Sequence, residues 1–168
     1  MKKLIPMFTA ILMVMPVIAF ADNVSKASLH YVRLSVDSES VDGYGASFDT
    51  AMNDKVLMQL DWFKLSESGV SVDFSVFSAA YAFGSLSEGS FFAGLARFDS
   101  DLSDDAEVDL ELGYANISGE GLDWAVSIIN SDEDLTFKGE LHTPSGITLG
   151  LLTDGDVNLV NIGYHFRF

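Results

Sequence analysis

The stretch Val108-Asp-Leu-Glu-Leu-Gly-Tyr114 alternates an apolar side chain with an acidic or small one, and this alternation decides the secondary structure. A period of two places the apolar residues on one face of a β-strand and the acids on the other. An α-helix would instead put Leu110 and Leu112 on opposite sides. The same alternation recurs over residues 122–128 and 135–141, so we predict an all-β protein.

Clusters rich in Gly, Asn, Asp, Ser and Pro interrupt the alternating segments, and such clusters favour tight turns. They lie at 37–43, 53–55, 66–69, 84–90, 99–107, 118–121, 130–134, 142–146 and 153–156. Ten strands are predicted between them, at 28–37, 43–52, 56–65, 70–83, 91–99, 107–117, 122–130, 135–142, 147–153 and 157–168. Eight strands are the alternative, because 70–83 is long and 85–90 is compatible with a weakly paired excursion.

The short connections favour antiparallel neighbours in sequence order. Many short antiparallel strands avoid exposed edges by closing into a barrel. We therefore predict one domain over residues 22–168, a closed antiparallel up-and-down β-barrel.

The first 21 residues have the pattern of a cleaved secretory signal peptide. Lys2 and Lys3 precede an apolar run, and Ala19-Phe20-Ala21 supplies an A-x-A cleavage site. A retained membrane anchor is the alternative, but the apolar run is short and contains Pro6 and Pro16. The chain has no cysteine, which excludes a lipoprotein anchor, a disulfide and a thiolate metal site.

Charge excludes one class of partner. Lys2 and Lys3 lie in the predicted signal peptide, so residues 22–168 keep seven basic and all 25 acidic residues, for a formal charge of −18. Nucleic-acid binding is excluded on this ground. The mean hydropathy of +0.25 is nevertheless apolar, and no window after the signal peptide approaches the roughly 20 apolar residues of a membrane helix.

The apolar faces carry large residues that suit lipid, and Trp and Tyr lie toward strand ends, as in the aromatic girdles of membrane barrels. Four such faces are predicted: Val32, Leu34 and Val36; Val56, Met58, Leu60 and Trp62; Leu122, Trp124, Val126 and Ile128; and Ile162, Tyr164, Phe166 and Phe168. The opposite faces mix both charge signs with small residues, which suits a narrow lumen. The predicted lumen network is Arg33, Asp49, Asp61, Asp73, Asp109, Glu111, Asp123, Lys138, Glu140, His165 and Arg167.

The final stretch, Asn161-Ile-Gly-Tyr-His-Phe-Arg-Phe168, resembles the closing strand of bacterial outer-membrane β-barrels, which typically end on Phe with an aromatic or apolar residue at alternate positions. Ile162, Tyr164, Phe166 and Phe168 fall on that pattern. The chain is similar in size to small OmpA/OmpX-like barrels and resembles that small, porin-like class. The resemblance implies a transmembrane barrel in the cell outer membrane, in contact with lipid and lipopolysaccharide. It also implies recognition of the last strand by the barrel-assembly machinery.

An even strand number puts both ends of the barrel chain on the periplasmic side. The turns at 37–43, 66–69, 99–107, 130–134 and 153–156 then face outward, and they are strongly acidic. Weak divalent-cation binding is predicted for one group, Asp99, Asp101, Asp104, Asp105 and Glu107. No specific metal site is predicted there, since an EF-hand needs Gly and Glu where this chain has Asp104 and Leu110.

Catalysis is not expected. No Ser lies two residues after His30, His142 or His165, so the H-x-S pattern of membrane lipases is absent, and polar structural roles explain all three. His30 is placed on the lipid-facing side with Val32, and His142 at a periplasmic turn. We predict a non-enzymatic barrel without cofactor, structural or weakly pore-forming for small ions. The alternatives are a surface adhesion barrel and a secreted lipocalin-like barrel that binds an apolar ligand; the oligomeric state is left open.

Overall fold

The computed structural model describes residues 24–36, 39–67, 70–101, 107–130 and 135–168. These residues form ten strands: β1 (Val24–Val36), β2 (Glu39–Met52), β3 (Val56–Glu67), β4 (Val70–Ala82), β5 (Ser90–Ser100), β6 (Glu107–Asn116), β7 (Asp123–Asn130), β8 (Leu135–His142), β9 (Ile147–Thr153) and β10 (Val157–Arg167). Within the described ranges, no helix is long and apolar enough to cross a membrane.

Each strand pairs antiparallel with its neighbours in sequence, and β10 pairs with β1, so the sheet closes on itself. The closing register joins Leu29 to Tyr164 and Val36 to Val157. The ten-strand closed antiparallel barrel predicted from the alternation is thereby confirmed. The predicted signal peptide, residues 1–21, lies outside the described residues.

The two ends of the barrel differ. The terminal end, where β1 begins and β10 ends, also carries the connections 53–55, 83–89, 117–122 and 143–146. The distal end carries the five other connections, and there β1 to β4 (12–14 residues each) reach further than β7 to β9 (7–8 residues each). The first hairpin is longer than predicted, because residues 39–43 continue β2 instead of forming a turn.

The segment 85–90, predicted as a possible loose excursion, is a folded plug. Leu86 is fully buried among the inward-facing Ala51, Ala80, Phe92 and Ala115. Its backbone N–H donates to Asp54 O (3.2 Å), and its carbonyl accepts from Ile117 N (2.8 Å). The plug therefore fills the lumen at the terminal end.

Glycine allows the closing strands to approach each other. A Cβ on Gly163 would lie 2.1 Å from the carbonyl oxygen of Leu29 on β1, a distance that no side chain tolerates. Gly163 thus permits the close β1–β10 contact that seals the barrel.

The prediction of which β1 side chains point out of the barrel was wrong. Val32 is fully buried, and with Phe63, Leu65 and Leu159 it forms an apolar cluster inside the distal half of the lumen, against which Leu34 packs. His30 also points inward, so it does not face lipid. The outward residues of β1 are instead Leu29 and Tyr31. The reason is that the lumen is apolar at its distal end, so an apolar side chain does not identify the outer face there.

Two residues of the predicted lumen network face outward. Arg33 pairs with Asp42 (2.7 Å), and both side chains are about half exposed on the outer face of β1 and β2. Asp73 pairs with Lys64 (3.5 Å) on the outer face of β4 and β3. Both pairs lie near the distal end, where charged side chains reach headgroups and water instead of hydrocarbon.

Candidate functional site

The outer surface of the barrel carries a continuous lipid-facing belt of exposed apolar and aromatic side chains. The belt comprises Leu29, Tyr31, Tyr44, Phe77, Tyr81, Phe91, Leu95, Val108, Leu110, Leu112, Val126, Ile128, Phe137, Leu149, Leu151, Val160, Ile162, Tyr164 and Phe166. Most are 40–65% exposed, which is far more apolar surface than a soluble monomer usually shows. Its residues come from nine of the ten strands, all but β3, so the belt is not a local docking patch.

Aromatic pairs border the belt at both ends. Near the distal end, Tyr44 and Trp62 make an edge-to-face contact with ring centroids 5.9 Å apart, just below the Lys64–Asp73 and Arg33–Asp42 pairs. Near the terminal end, the rings of Phe91, Tyr114 and Trp124 contact one another in sequence, at 5.0 and 5.5 Å. Aromatic girdles of this kind mark the two membrane–water interfaces of transmembrane barrels.

The middle of the lumen holds a charged network centred on Lys138 of β8. Its ammonium nitrogen lies 3.2 Å from Asp61 Oδ2 and 3.9 Å from Glu140 Oε1, and it donates to Gln59 Oε1 at 2.6 Å. The amide of Gln59 in turn donates to Glu140 Oε2. One lysine is thus shared by two buried carboxylates and an amide from two strands on opposite sides of the network.

A second charged group locks the terminal end. Asp123 is fully buried and accepts from Lys26 at 2.7 Å and from Arg167 at 3.2 Å. Its other oxygen accepts from the backbone N–H groups of Ser118 (2.9 Å) and Gly119 (3.0 Å). Arg167 also donates to the carbonyl of Gly119 and to that of Gly121. Asp123 and Arg167 therefore hold the 117–122 connection across the mouth of the barrel.

The carboxylate of Asp54 fixes the neighbouring plug from outside the strands. It accepts from Ser87 N (2.7 Å) and Ser87 Oγ (3.3 Å), and from the hydroxyl of Ser85. Burial alone would raise the pKa of Asp54, but these hydrogen bonds outweigh it and hold the pKa below the ordinary value of 3.8. The connections at 53–55 and 83–89 are thus joined by an ionised side chain.

A chain of hydrogen bonds runs from Arg167 up to the middle of the lumen. Arg167 Nε donates to His165 Nε2 (3.3 Å), so the neutral imidazole of His165 carries its proton on Nδ1. That Nδ1 lies 3.0 Å from Thr148 Oγ1, which lies 3.1 Å from His142 Nδ1. The Nε2 atom of His142 then lies 3.7 Å from Asp49 Oδ2 and 3.8 Å from Glu140 Oε2.

Most predicted network residues lie in this lumen. The inward-facing ones are Asp49, Asp61, Asp109, Glu111, Asp123, Lys138, Glu140, His165 and Arg167. Glu111 accepts from Ser127 at 2.6 Å. Arg33 and Asp73 are the exceptions described above.

Sequence reasoning missed several polar residues of the lumen, among them Lys26, His30, Gln59 and His142. Lys26 and His30 alternate with Ala27 and Leu29, so the same period-two pattern extends to the start of β1 at Val24, four residues before the predicted start. His142 was placed in a turn but ends β8 with its ring inside the barrel.

The other predicted groups are located as follows. Ile162, Tyr164, Phe166 and Phe168 all point outward and are about half exposed, and the role of this strand in assembly stays a prediction. Asp99 and Asp101 are exposed, Glu107 begins β6, and Asp104 and Asp105 lie outside the described residues. Cation binding by this acidic group also stays a prediction.

A closed barrel with an apolar aromatic-bordered exterior and a charged interior defines the class: a transmembrane β-barrel of the outer-membrane type. No protein-family model matches the chain, and no curated protein matches it. Solved structures are similar to it at low identity. Neisserial surface protein A has 13% identity and a TM-score of 0.35, over 86% of this chain and 95% of that one. The N-terminal β-barrel domain of Pseudomonas aeruginosa OprF has 16% identity and a TM-score of 0.35, over 85% of this chain and 97% of that one. The attachment invasion locus protein Ail of Yersinia pestis has 13% identity and a TM-score of 0.30, over 88% of this chain and 100% of that one.

Proposed function

We propose that the protein is an integral barrel of the bacterial outer membrane with a structural, non-enzymatic role, and that its lumen passes at most small ions. Its chain ends face the periplasm, and its belt contacts outer-membrane lipid and lipopolysaccharide. The barrel-assembly machinery inserts it. The lipid-facing belt supports the location, because burying so much exposed apolar surface in hydrocarbon is strongly favourable.

The filled lumen is the observation that supports a structural role for the barrel. Leu86 and the 117–122 connection block the terminal end, and the charged network leaves a central cavity of only about 50 Å³. Above the network, the rings of Phe63, Phe74 and Phe98 stack in succession, with centroids 6.1 and 6.0 Å apart. An ion on this route would have to cross an apolar constriction without its hydration shell.

The distal end opens into a wider vestibule of about 360 Å³, lined by Leu34, Leu65, Val72, Phe98 and Leu159 among others. Phe74 and Phe98 of the stacked rings line this vestibule, and it shares no lining residue with the central cavity beside the charged network. It is therefore compatible with a closed barrel that is open to water on one side only.

Planar-bilayer recording of the detergent-folded protein tests this proposal. We expect no sustained conductance steps from the native protein. The double variant Phe63→Ala/Phe74→Ala removes the constriction and should show more frequent or larger steps. Phe77→Ala is the matched control, since Phe77 lies on the same strand as Phe74 but belongs to the belt.

Passage of solutes larger than hydrated ions through the native protein would contradict the proposal. Fractionation tests the location separately. We expect the protein in the outer-membrane fraction, with a gel migration that changes on boiling, and recovery in the soluble periplasmic fraction would contradict the membrane assignment.

A further inference from the structure

We propose that Asp49, Glu140 and His142 bind one divalent transition-metal ion inside the lumen. One potential ligand atom from each residue lies within 4.8 Å of the other two. His142 Nε2 is 3.7 Å from Asp49 Oδ2 and 3.8 Å from Glu140 Oε2. Ligands about 2.0–2.2 Å from a tetrahedral ion are roughly 3.4 Å apart, so His142 is within a few tenths of an ångström of the required distance to each carboxylate. The two carboxylates lie within 4.8 Å of each other and close on the ion as it binds.

The nearby lysine and arginine side chains contact carboxylates other than that of Asp49. Lys138 is held by Asp61, Glu140 and Gln59, while Lys26 and Arg167 are both held by Asp123. Among the described residues, neither buried oxygen of Asp49 has a hydrogen-bond partner. His142 is the basic group within ion-pair distance of it there, while Lys26 and Lys138 act on it from further away. A buried carboxylate without a partner is unfavourable, and a bound cation supplies the missing interaction.

Surrounding groups orient the ligands through hydrogen bonds, as the outer partners of metal ligands do. Thr148 Oγ1 lies 3.1 Å from His142 Nδ1, and a hydroxyl oxygen can accept from both His142 and His165. With Nδ1 protonated, His142 has its Nε2 lone pair on the side of the two carboxylates. Gln59 similarly holds Glu140 through Oε2. Such outer partners fix the tautomer and orientation of the ligand.

The ligand set selects the kind of ion. Ca²⁺ and Mg²⁺ prefer oxygen-only sites, and a copper(I) site needs sulfur ligands. One imidazole with two carboxylates suits Zn²⁺ and the neighbouring ions Co²⁺ and Ni²⁺. Three protein ligands leave the fourth position of a tetrahedral ion to water, which the adjoining cavity of about 50 Å³ accommodates.

Calorimetric titration of the detergent-folded full chain with ZnCl₂ is the test, with Co²⁺ and its visible ligand-field spectrum as a second readout. We expect one site per chain and the intense spectrum of tetrahedral Co²⁺. Asp49→Asn and His142→Gln each replace a strong Zn²⁺ ligand by a neutral amide, a poor ligand for this ion, and should weaken binding by about 100-fold or more. Thr148→Val keeps all three ligands and should weaken it by roughly 10–100-fold, as loss of an outer partner does.

Two variants serve as controls. His30→Gln replaces another buried lumen imidazole, whose Nε2 lies 2.9 Å from Ser47 Oγ, and it should leave the affinity unchanged. Asp99→Asn/Asp101→Asn alters the exposed acids near the distal end and should also leave the site unchanged. If Asp99→Asn/Asp101→Asn abolishes the binding, the surface acids hold the ion and the proposal is overturned.

Heat-modifiable gel migration shows whether each variant is folded. If His142→Gln does not fold, Asp49→Asn carries the test, because it keeps the size and shape of the side chain. The proposal is also overturned if the folded native protein binds no Zn²⁺ stoichiometrically, or if folded Asp49→Asn binds as tightly as the native protein.

Discussion

At the scale of single residues, the strongest constraint is the buried carboxylate of Asp123. It neutralises Lys26 and Arg167 and accepts two backbone N–H groups from the connection that closes the terminal end. Removing only the anion from such a buried cluster destabilises a protein more than replacing the whole cluster with apolar residues, because the remaining cations stay desolvated and unpaired.

We therefore expect Asp123→Asn to lower the free energy of unfolding by roughly 3–5 kcal/mol, the usual effect of leaving a buried charge unpaired. Urea unfolding of the protein folded in lipid vesicles measures the change. Asp42→Asn is the control, since its pair with Arg33 is exposed and should contribute nothing measurable. Equal losses in the two variants would show that burial does not set the strength of these pairs.

The lowered pKa of Asp54 predicts that acid weakens the attachment of the plug. Its pKa is lowered in the folded protein, so its hydrogen bonds stabilise the folded state fully above the unfolded pKa near 3.8. This stabilisation is lost as the pH falls through the lower folded pKa. We expect Asp54→Asn to speed amide exchange at Leu86 and Ile117 at pH 7, and to differ little from the native protein in strong acid. A difference that grows on acidification would contradict this assignment.

At the scale of elements, β1 and β10 depend on a close backbone approach. Gly163→Ala would place a methyl group 2.1 Å from the Leu29 carbonyl, so one strand must shift. We expect a loss of roughly 1–3 kcal/mol, as for other overpacked sites, and a smaller heat-modifiable fraction after folding into vesicles.

Gly139→Ala is the matched control, because a Cβ on Gly139 meets nothing within 4 Å. It should fold as the native protein does. If both variants fold equally well, the closing strands do not require glycine at position 163.

The elements also explain which local predictions succeeded. The alternation over 108–114 predicted the facing of β6, because both its apolar belt residues and its buried Asp109 and Glu111 follow one pattern from end to end. The pattern failed on β1, where Val32 and Leu34 continue the inward face begun by Lys26 and His30. An inward face that changes from polar to apolar along one strand has no signature in that strand's own sequence.

At the scale of the whole molecule, the belt predicts a dependence on depth in the membrane. Leu112 lies midway along the outer face of β6, and Val108 lies on the same face near its distal end. We expect Leu112→Arg to destabilise the barrel by about 2–4 kcal/mol and Val108→Arg by about 0–1 kcal/mol. Unfolding from lipid vesicles measures both, and a barrel that faces water would tolerate the two substitutions equally.

The sequence by itself determined the strand class, the number of strands and most of the inward acids, because side chains in a strand alternate with an exact period of two. The tertiary structure alone decided the rest. Asp49, Glu140 and His142 come from β2 and β8, and Lys26, Asp123 and Arg167 from three further strands. Their meeting depends on barrel closure and on the register between strands, which no single segment encodes. Closure also brings apolar side chains of β1, β3 and β10 together in the distal lumen. Val32 therefore faces inward, and Arg33 and Asp73 face outward, opposite to the facing that the sequence suggested.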